Sequence, residues 1–379
     1  MIYADNAATT RISDTAYEKM LPFLREQYGN ASSKYSLGVK AKRAIKQPRQ
    51  QVATAIGAEA AEITFTSGGS EANSWVLRGI ADSFGGEAIH VITSSIEHHS
   101  VLNACHALEA KGVEVTYLLV NSYGVVEIES VKAAIRPNTK LVSIMLANNE
   151  IGTLQPIAEI GRYLCERDIL FHTDAVQAVG HIPIDVNELR VDFLSASAHK
   201  FNGAKGTGFM FKRSGLSLPQ LVFGGEQERG QRAGTENVAG IVALGYALEE
   251  SVADMSEMRE RLSSLVKRTA LGLRAAIPDV KINGEGASLL PSTLNVTFPH
   301  ASGEAMMHLL DLKGICVSTS SACNSGEDKP SHVLLALGLT EEQAKSSIRI
   351  SYGRYNTLDE VEKIVEVIAD AYSKIIANQ

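Results

Sequence analysis

Between residues 63 and 211 the chain alternates short apolar runs with longer stretches whose apolar positions recur every three or four residues. The runs are Ile63–Thr66, His90–Thr93, Val113–Leu118, Leu141–Leu146, Ile169–His172, Phe193–Ser197 and Gly208–Phe211. Runs of four to six residues bounded by Gly, Asn and Ser clusters predict strands, and the intervening segments predict helices. Strands that read as continuous apolar blocks are buried on both faces. The expected architecture is therefore α/β, a mostly parallel seven-stranded sheet covered by helices on both sides. Two helices precede it, at Asp14–Glu26 and Val39–Ile56, separated by a Gly/Asn/Ser-rich loop at Tyr28–Ser36. Pro156 suits the first turn of a helix over Ile157–Arg167.

The pattern changes after Gly240. A long amphipathic stretch runs from Ile241 to Ile277 and is expected to break near Asp254. Strand Ser292–Phe298, helix Gly303–Leu312 and strands Ile315–Ser318 and Ile348–Ser351 follow. The last helix opens with Thr357 and Glu360 at capping-box spacing and puts Val361, Ile364, Val365 and Ile368 on one face. This second α+β layer gives two expected domains: a large one over 13–250, and a small one built from 1–12 and 251–379. There are no internal repeats and no linker.

Composition narrows the class. The chain has 379 residues, 45% hydrophobic and 21% charged, ordinary for a globular protein with one large core and a smaller second one. A net charge of −7 gives no basic field for nucleic acid or an anionic membrane. The Lys40–Arg43 cluster reads as the wet face of a helix. No apolar run reaches the length of a membrane span, and the start of the chain has neither a charged nor an apolar leader region, so the expected location is cytoplasmic.

The candidate chemistry lies at the ends of the runs. Lys200 follows Phe193–Ser197 in SASAHKFNGAKGTG, hemmed by small residues. A single lysine there could simply reach solvent. Asp174, ending the neighbouring run in DILFHTDAVQA, changes that reading. An amine and a carboxylate at strand ends of an α/β sheet meet the needs of pyridoxal phosphate: a Schiff-base partner and a counter-charge for the pyridinium nitrogen. Thr66–Glu71 (TSGGSE) joins a strand to a helix, which offers free N–H groups and hydroxyls to a phosphate. His98 begins the next helix, either as a bare helix start or as an imidazole stacked on the cofactor. Glu97, His98, His99 and the His172–Asp174 pair lack a third ligand at metal spacing, so no metal is expected. Among the four cysteines, Cys105, Cys165 and Cys316 read as packing residues. Cys323 lies in the polar stretch STSSACNSGEDKP, with no apolar face to bury a thiol.

The segments TFTSGGSEAN, SIEHHSVL, ANNEIGT, HTDAVQ, SASAHK, ERGQRAGTEN, STSSACNS and SSIRIS stand in this order along the chain. In order and spacing they resemble the NifS/IscS-type cysteine desulfurases, class V aminotransferase-like enzymes of PLP fold type I. The resemblance implies Lys200 as the Schiff-base lysine, Asp174 at the pyridine nitrogen and His98 stacked on the ring. It implies Asn149 and Gln177 around the phenolic oxygen, and Gly69, Ser70, Ser197 and His199 at the phosphate. Thr235 would reach the phosphate of a neighbouring subunit in a homodimer. Arg349 would hold the substrate α-carboxylate, with Asn30 beside the substrate. Two departures stand out: Ser70 replaces the usual Thr, and the 29–35 loop reads Gly-Asn-Ala-Ser-Ser-Lys-Tyr, without the family's proline and histidine.

The implied reaction removes sulfur from L-cysteine, giving alanine and a persulfide on Cys323 for a sulfur-acceptor protein, either an iron–sulfur scaffold or a tRNA-thiolation enzyme. The alternatives are a selenocysteine lyase or another class V enzyme on the same fold, and a non-catalytic sulfur-assembly scaffold. The cysteine in STSSACNS weighs against a transaminase, and the intact Lys200 against the scaffold.

Overall fold

A computed structural model describes residues 1–319 and 329–377. The strands are β1 (Ile2–Tyr3), β2 (Ile63–Thr66), β3 (His90–Ser94), β4 (Glu114–Leu118), β5 (Thr139–Ser143), β6 (Leu170–Asp174), β7 (Phe193–Ser197), β8 (Gly208–Lys212), β9 (Lys281–Asn283), β10 (Thr293–Thr297), β11 (Ile315–Cys316), β12 (Ser318–Thr319) and β13 (Ser347–Ser351). Helices α1 (Asp14–Arg25), α2 (Ser36–Ile56), α3 (Gly69–Ser83), α4 (His99–Glu109), α5 (Ile128–Ala134), α6 (Ile157–Cys165), α7 (Val186–Leu189) and α8 (Val238–Ala253) accompany the large sheet. Beyond it come α9 (Met255–Ala276), α10 (Gly303–Leu312), α11 (His332–Ala336), α12 (Glu341–Lys345) and α13 (Leu358–Ala377).

Strands β2 to β8 form one sheet in the order β2-β8-β7-β6-β5-β3-β4. Only β8 runs against its neighbours. Because β8 is antiparallel to both β2 and β7, β2 points the same way as β7, β6, β5 and β3. The carboxyl ends of these five strands therefore lie along one edge. Successive residues of a strand face opposite sides, and the pairs Val91/Ile92, Leu141/Val142 and Phe193/Leu194 divide between the two buried cores flanking the sheet. The expected run to Leu146 outlasts β5, which ends at Ser143. The chain nevertheless stays extended beside β6, with Ile144 N bonding His172 O and Leu146 N bonding Asp174 O.

A second sheet, β12-β13-β10-β9, is antiparallel throughout. Its apolar face packs with α9, α10 and α13 into a separate core. Strand β1 pairs with β11, and Asp5 bridges to Ser351, so the first residues of the chain join this unit. Helix α8 contributes to the large core and α9 to the small one, with Asp254 between them. On these separate cores we propose the division near residue 250, with 1–12 in the small unit.

Several details differ from the expected elements. Pro156 is the residue before the first turn of α6, not inside it. The buried stripe of α13 is Val361, Ile364, Val367, Ile368 and Ala371, with Val365 at its margin. Glu360 accepts from Thr357 N at 3.1 Å at its start. Cys105 is buried, as a packing residue should be, but Cys165 is exposed at the end of α6 and Cys316 is half-buried. Helix α6 stops two residues short of Arg167, and Cys165, its last residue, is exposed.

Candidate active site

The five aligned strand ends enclose a cavity of about 610 Å³. Its lining includes Gly69, Ser70, His98, Asn149, Asp174, Gln177, Ser197, His199, Lys200 and Arg349. Ten expected site residues, separated by as many as 280 positions in sequence, thus share one space. Two do not. Asn30 is exposed in the 28–36 loop and its Oδ1 accepts from Ser32 N at 2.8 Å, a local turn bond away from the cavity. Thr235 is exposed and outside the cavity of its own chain. Cys323 lies outside the described residues.

On the cavity wall the chain leaves β2 through Ser67 and Gly68 and enters α3 at Gly69. Gly68 has φ +154°, which side-chain-bearing residues rarely adopt, and a Cβ on Gly69 would lie 2.4 Å from Val176 Cγ2. No side chain caps the helix. Its first N–H groups are left for a ligand, at the positive end of a 15-residue dipole. Glu71, also on the cavity wall, would oppose an anion. It is held instead by Arg232, through Nε and Nη2 at 2.8 and 2.9 Å. Burial pushes its carboxyl up, but the bonds from Arg232 and Ser67 outweigh burial and hold it below the usual range. His199 is kept neutral: burial first, then the charges of Lys200 and Lys205, bring it down to about 4. Small residues, hydroxyls and free N–H groups suit a phosphate monoester.

Asp174 is buried, accepting from Asn73 Nδ2 at 2.6 Å and Val176 N at 2.9 Å. Lys200 follows β7 in a 3-10 turn, its Nζ donating to Ala7 O at 2.6 Å and Ala8 O at 2.8 Å. Gln177 Nε2 shares the Ala7 carbonyl at 3.0 Å. His98 is the N-cap of α4, accepting at Nδ1 from Ser100 N at 3.1 Å. Burial lowers its pKa, and Lys200 and His99 add to that against the pull of Asp174. Arg349 lies on the third wall, from β13, with Nη2 on Asp5 Oδ1 at 2.7 Å and Nη1 on Asn149 O at 2.8 Å. Its buried Nε has no partner, leaving a donor for a carboxylate. An anion seat at a helix start, a lysine and a buried carboxylate line one cavity, the donor set that pyridoxal phosphate needs, so the residues fit that group.

The sequence reading missed the residues that hold this constellation. Asn73 and Ser100 lie one turn inside α3 and at the start of α4, and their polar side chains looked like ordinary helix surface. Asp5 and Ala7–Thr9 come from the chain start and reach the site only because β1 pairs with β11. His172, offered as a metal ligand, bonds Ser143 and Ser195 hydroxyls at 2.8 and 3.0 Å, and burial brings it down to about 3. It is a neutral core histidine.

Glu97 is wholly buried behind His98. Burial pushes its carboxyl up to about 8, with bonds from Ser94 and Met145 N pulling it down and Asp174 raising it further. An acid raised in the fold contributes stability fully below its unfolded pKa of 4.5, and that stability is lost as pH climbs through 8. Glu97→Gln is therefore expected to match the parent in Tm near pH 5 and to exceed it by several degrees near pH 9. Parallel Tm profiles across that range would remove Glu97 from this account.

The family Aminotransferase class-V matches residues 2–364. The chain belongs to that family, and within it to the cysteine desulfurases. Cysteine desulfurase IscS of Methanosarcina thermophila is 48% identical over 374 residues, covering 99% of this chain and 92% of the relative. Putative cysteine desulfurase IscS 1 of Bacillus subtilis is 44% identical, covering 99% of both. Among solved structures, a NifS-like protein superposes with TM-score 0.93 at 39% identity, covering 98% of this chain and 99% of that one. SspA in complex with cysteine superposes with TM-score 0.84 at 38% identity, covering 94% and 100%. The family is dependent on pyridoxal phosphate, and the fold described above is the family's own. No helix among the described residues is long and apolar enough to cross a membrane.

Proposed function

We propose that this desulfurase takes sulfur from L-cysteine onto Cys323, with Lys200, Asp174, His98 and Arg349 as its working groups. The observation that carries the reading is that Lys200, a helix-start anion seat and the buried Asp174 carboxylate line one cavity at one edge of the sheet. Gly69, Ser70, Ser197 and His199 would hold the cofactor phosphate, Asp174 its ring nitrogen, and Asn149 and Gln177 its phenolic oxygen. When bound, pyridoxal phosphate supplies an electron sink for the charge left at the substrate Cα.

The chain's own groups do the rest. Arg349, already oriented by Asp5 and Asn149 O, takes the α-carboxylate with its remaining donors. The Lys200 amine moves the Cα proton. The Cys323 thiolate attacks the substrate sulfur: an S–S bond forms, the Cβ–S bond breaks, and its electron pair stays with Cβ. Cβ takes a proton and becomes the methyl of alanine, while Cys323 keeps the sulfur as a persulfide. The net change is cysteine plus thiol to alanine plus persulfide, with no external oxidant.

A homodimer fits the placement of Thr235. Its segment is tied to α2 and α3 by Arg49–Glu228 and Arg232–Glu71, yet Thr235 is exposed and outside its own cavity, where it could complete a second copy's phosphate seat. A cytoplasmic location, and an iron–sulfur scaffold or tRNA-thiolation enzyme as acceptor, complete the reading. Mixing the protein, pyridoxal phosphate and L-cysteine is expected to yield alanine and, with a thiol reductant, an equal amount of sulfide. No alanine above the protein-free control would overturn the assignment.

A further inference from the structure

We infer that Asn73 is a positioning residue that joins the Asp174 carboxylate and the His98 imidazole into one hydrogen-bond chain of fixed polarity. It rests on the reading of Asp174 and His98 as working groups of the desulfurase.

Asn73 lies on α3, 1% exposed. Its Nδ2 is 2.6 Å from Asp174 Oδ2 and 2.9 Å from Ser100 Oγ. Ser100 Oγ is in turn 2.8 Å from His98 Nδ1. The Asn73 Oδ1 has no partner although it is buried. An amide turned the other way would aim its oxygen at a carboxylate oxygen, so the orphaned Oδ1 marks the orientation that the network imposes. Both amide hydrogens are then spent, one on Asp174 and one on Ser100.

Each later link follows. Ser100 Oγ, receiving a hydrogen from Asn73, has its own hydrogen left for His98 Nδ1. Ser100 N donates to the same nitrogen at 3.1 Å. Nδ1 is therefore the acceptor, and the hydrogen of the neutral ring stays on Nε2. A single neutral side chain thus sets an acceptor lone pair at Asp174 and an N–H edge at His98, on two different strand ends.

The test uses ¹⁵N-histidine-labelled protein loaded with pyridoxal phosphate, comparing the parent, Asn73→Leu, Ser100→Ala and the double variant. The parent is expected to show one His98 tautomer, with Nδ1 unprotonated. Asn73→Leu leaves the Ser100 hydroxyl without its donor, free to turn round and accept, and a measurable share of Nδ1–H is expected. Ser100→Ala removes one of the two donors to Nδ1 and is expected to do the same. Both single variants should lower kcat about 10–100-fold with KM within a factor of two, and the double variant no further than the worse single.

Multiplying losses in the double variant, or an unchanged His98 signal in both singles, would overturn the proposal. If Asn73→Leu does not fold, the signal of Ser100→Ala alone decides. The tautomer is read without turnover, so failure of the desulfurase assignment would appear in the alanine assay and not in this spectrum.

Discussion

Lys200→Ala is expected to abolish covalent attachment of the cofactor and to lower alanine formation by about 10²–10⁴-fold or more. The parent should show a visible absorbance band that borohydride traps on the peptide containing Lys200, and the variant should show no trapped label. The structure adds a second, separable effect. Lys200 Nζ donates to the carbonyls of Ala7 and Ala8, which line the cavity next to Asp5, the partner of Arg349. Removing the lysine leaves those carbonyls short of a charged donor, a loss of about 1–3 kcal/mol. Lys200→Arg keeps a charged donor for them but has no amine that can bond the cofactor. It should regain most of the lost Tm and none of the activity. Alanine formation at the parent rate in either variant would dismiss Lys200.

The difference between what could be read from the chain and what could not follows from length scale. The seven strands of the large sheet were legible because each is a short block of apolar residues ending in small or polar ones. A strand buried on both faces has no other way to look. Lys200, Asp174, His98 and Gly69 were legible for a related reason: strand ends are where backbone polarity and side-chain chemistry meet, and each of these residues lies within five positions of the end of a run. Strand β9 was missed because its three residues, one of them exposed Lys281, are too few to show alternation. The fine structure of the site was missed because it depends on pairs such as Asn73–Asp174, 101 positions apart, and Arg349–Asp5, 344 apart. Periodicity carries no information about partners at that distance.

Asn30 is placed apart from the cavity for another reason. Its role came from likeness of a loop whose proline and histidine are replaced by Ala31 and Tyr35. Here the Asn30 side chain closes its own turn through Ser32 N. Without a proline to stiffen the loop, the polar side chain serves the backbone beside it.

Cys323→Ala is expected to bind the cofactor and substrate as the parent does, since Lys200, Asp174 and Arg349 are unchanged, yet to form alanine and persulfide at a small fraction of the parent rate. The other thiols are poor substitutes for physical reasons. Cys105 is buried on the inner face of α4, where burial and the nearby Glu97 and Glu109 charges push its thiol up to about 12, so it holds no useful thiolate near neutral pH. Cys165 is exposed, but at the end of α6 just before β6 begins, the edge of the sheet opposite the cavity. Cys316 is half-buried in the strand pair β1–β11. Replacing Cys105 by Ala should cost roughly 1–3 kcal/mol of stability, and replacing exposed Cys165 less than about 0.5 kcal/mol, in both cases with activity kept. A brief exposure of the loaded enzyme to L-cysteine, followed by peptide mapping under non-reducing conditions, should place one added sulfur on the Cys323 peptide. Sulfur on Cys316 instead, or undiminished alanine from Cys323→Ala, would mean that another atom takes the sulfur and that the persulfide step has been assigned to the wrong residue.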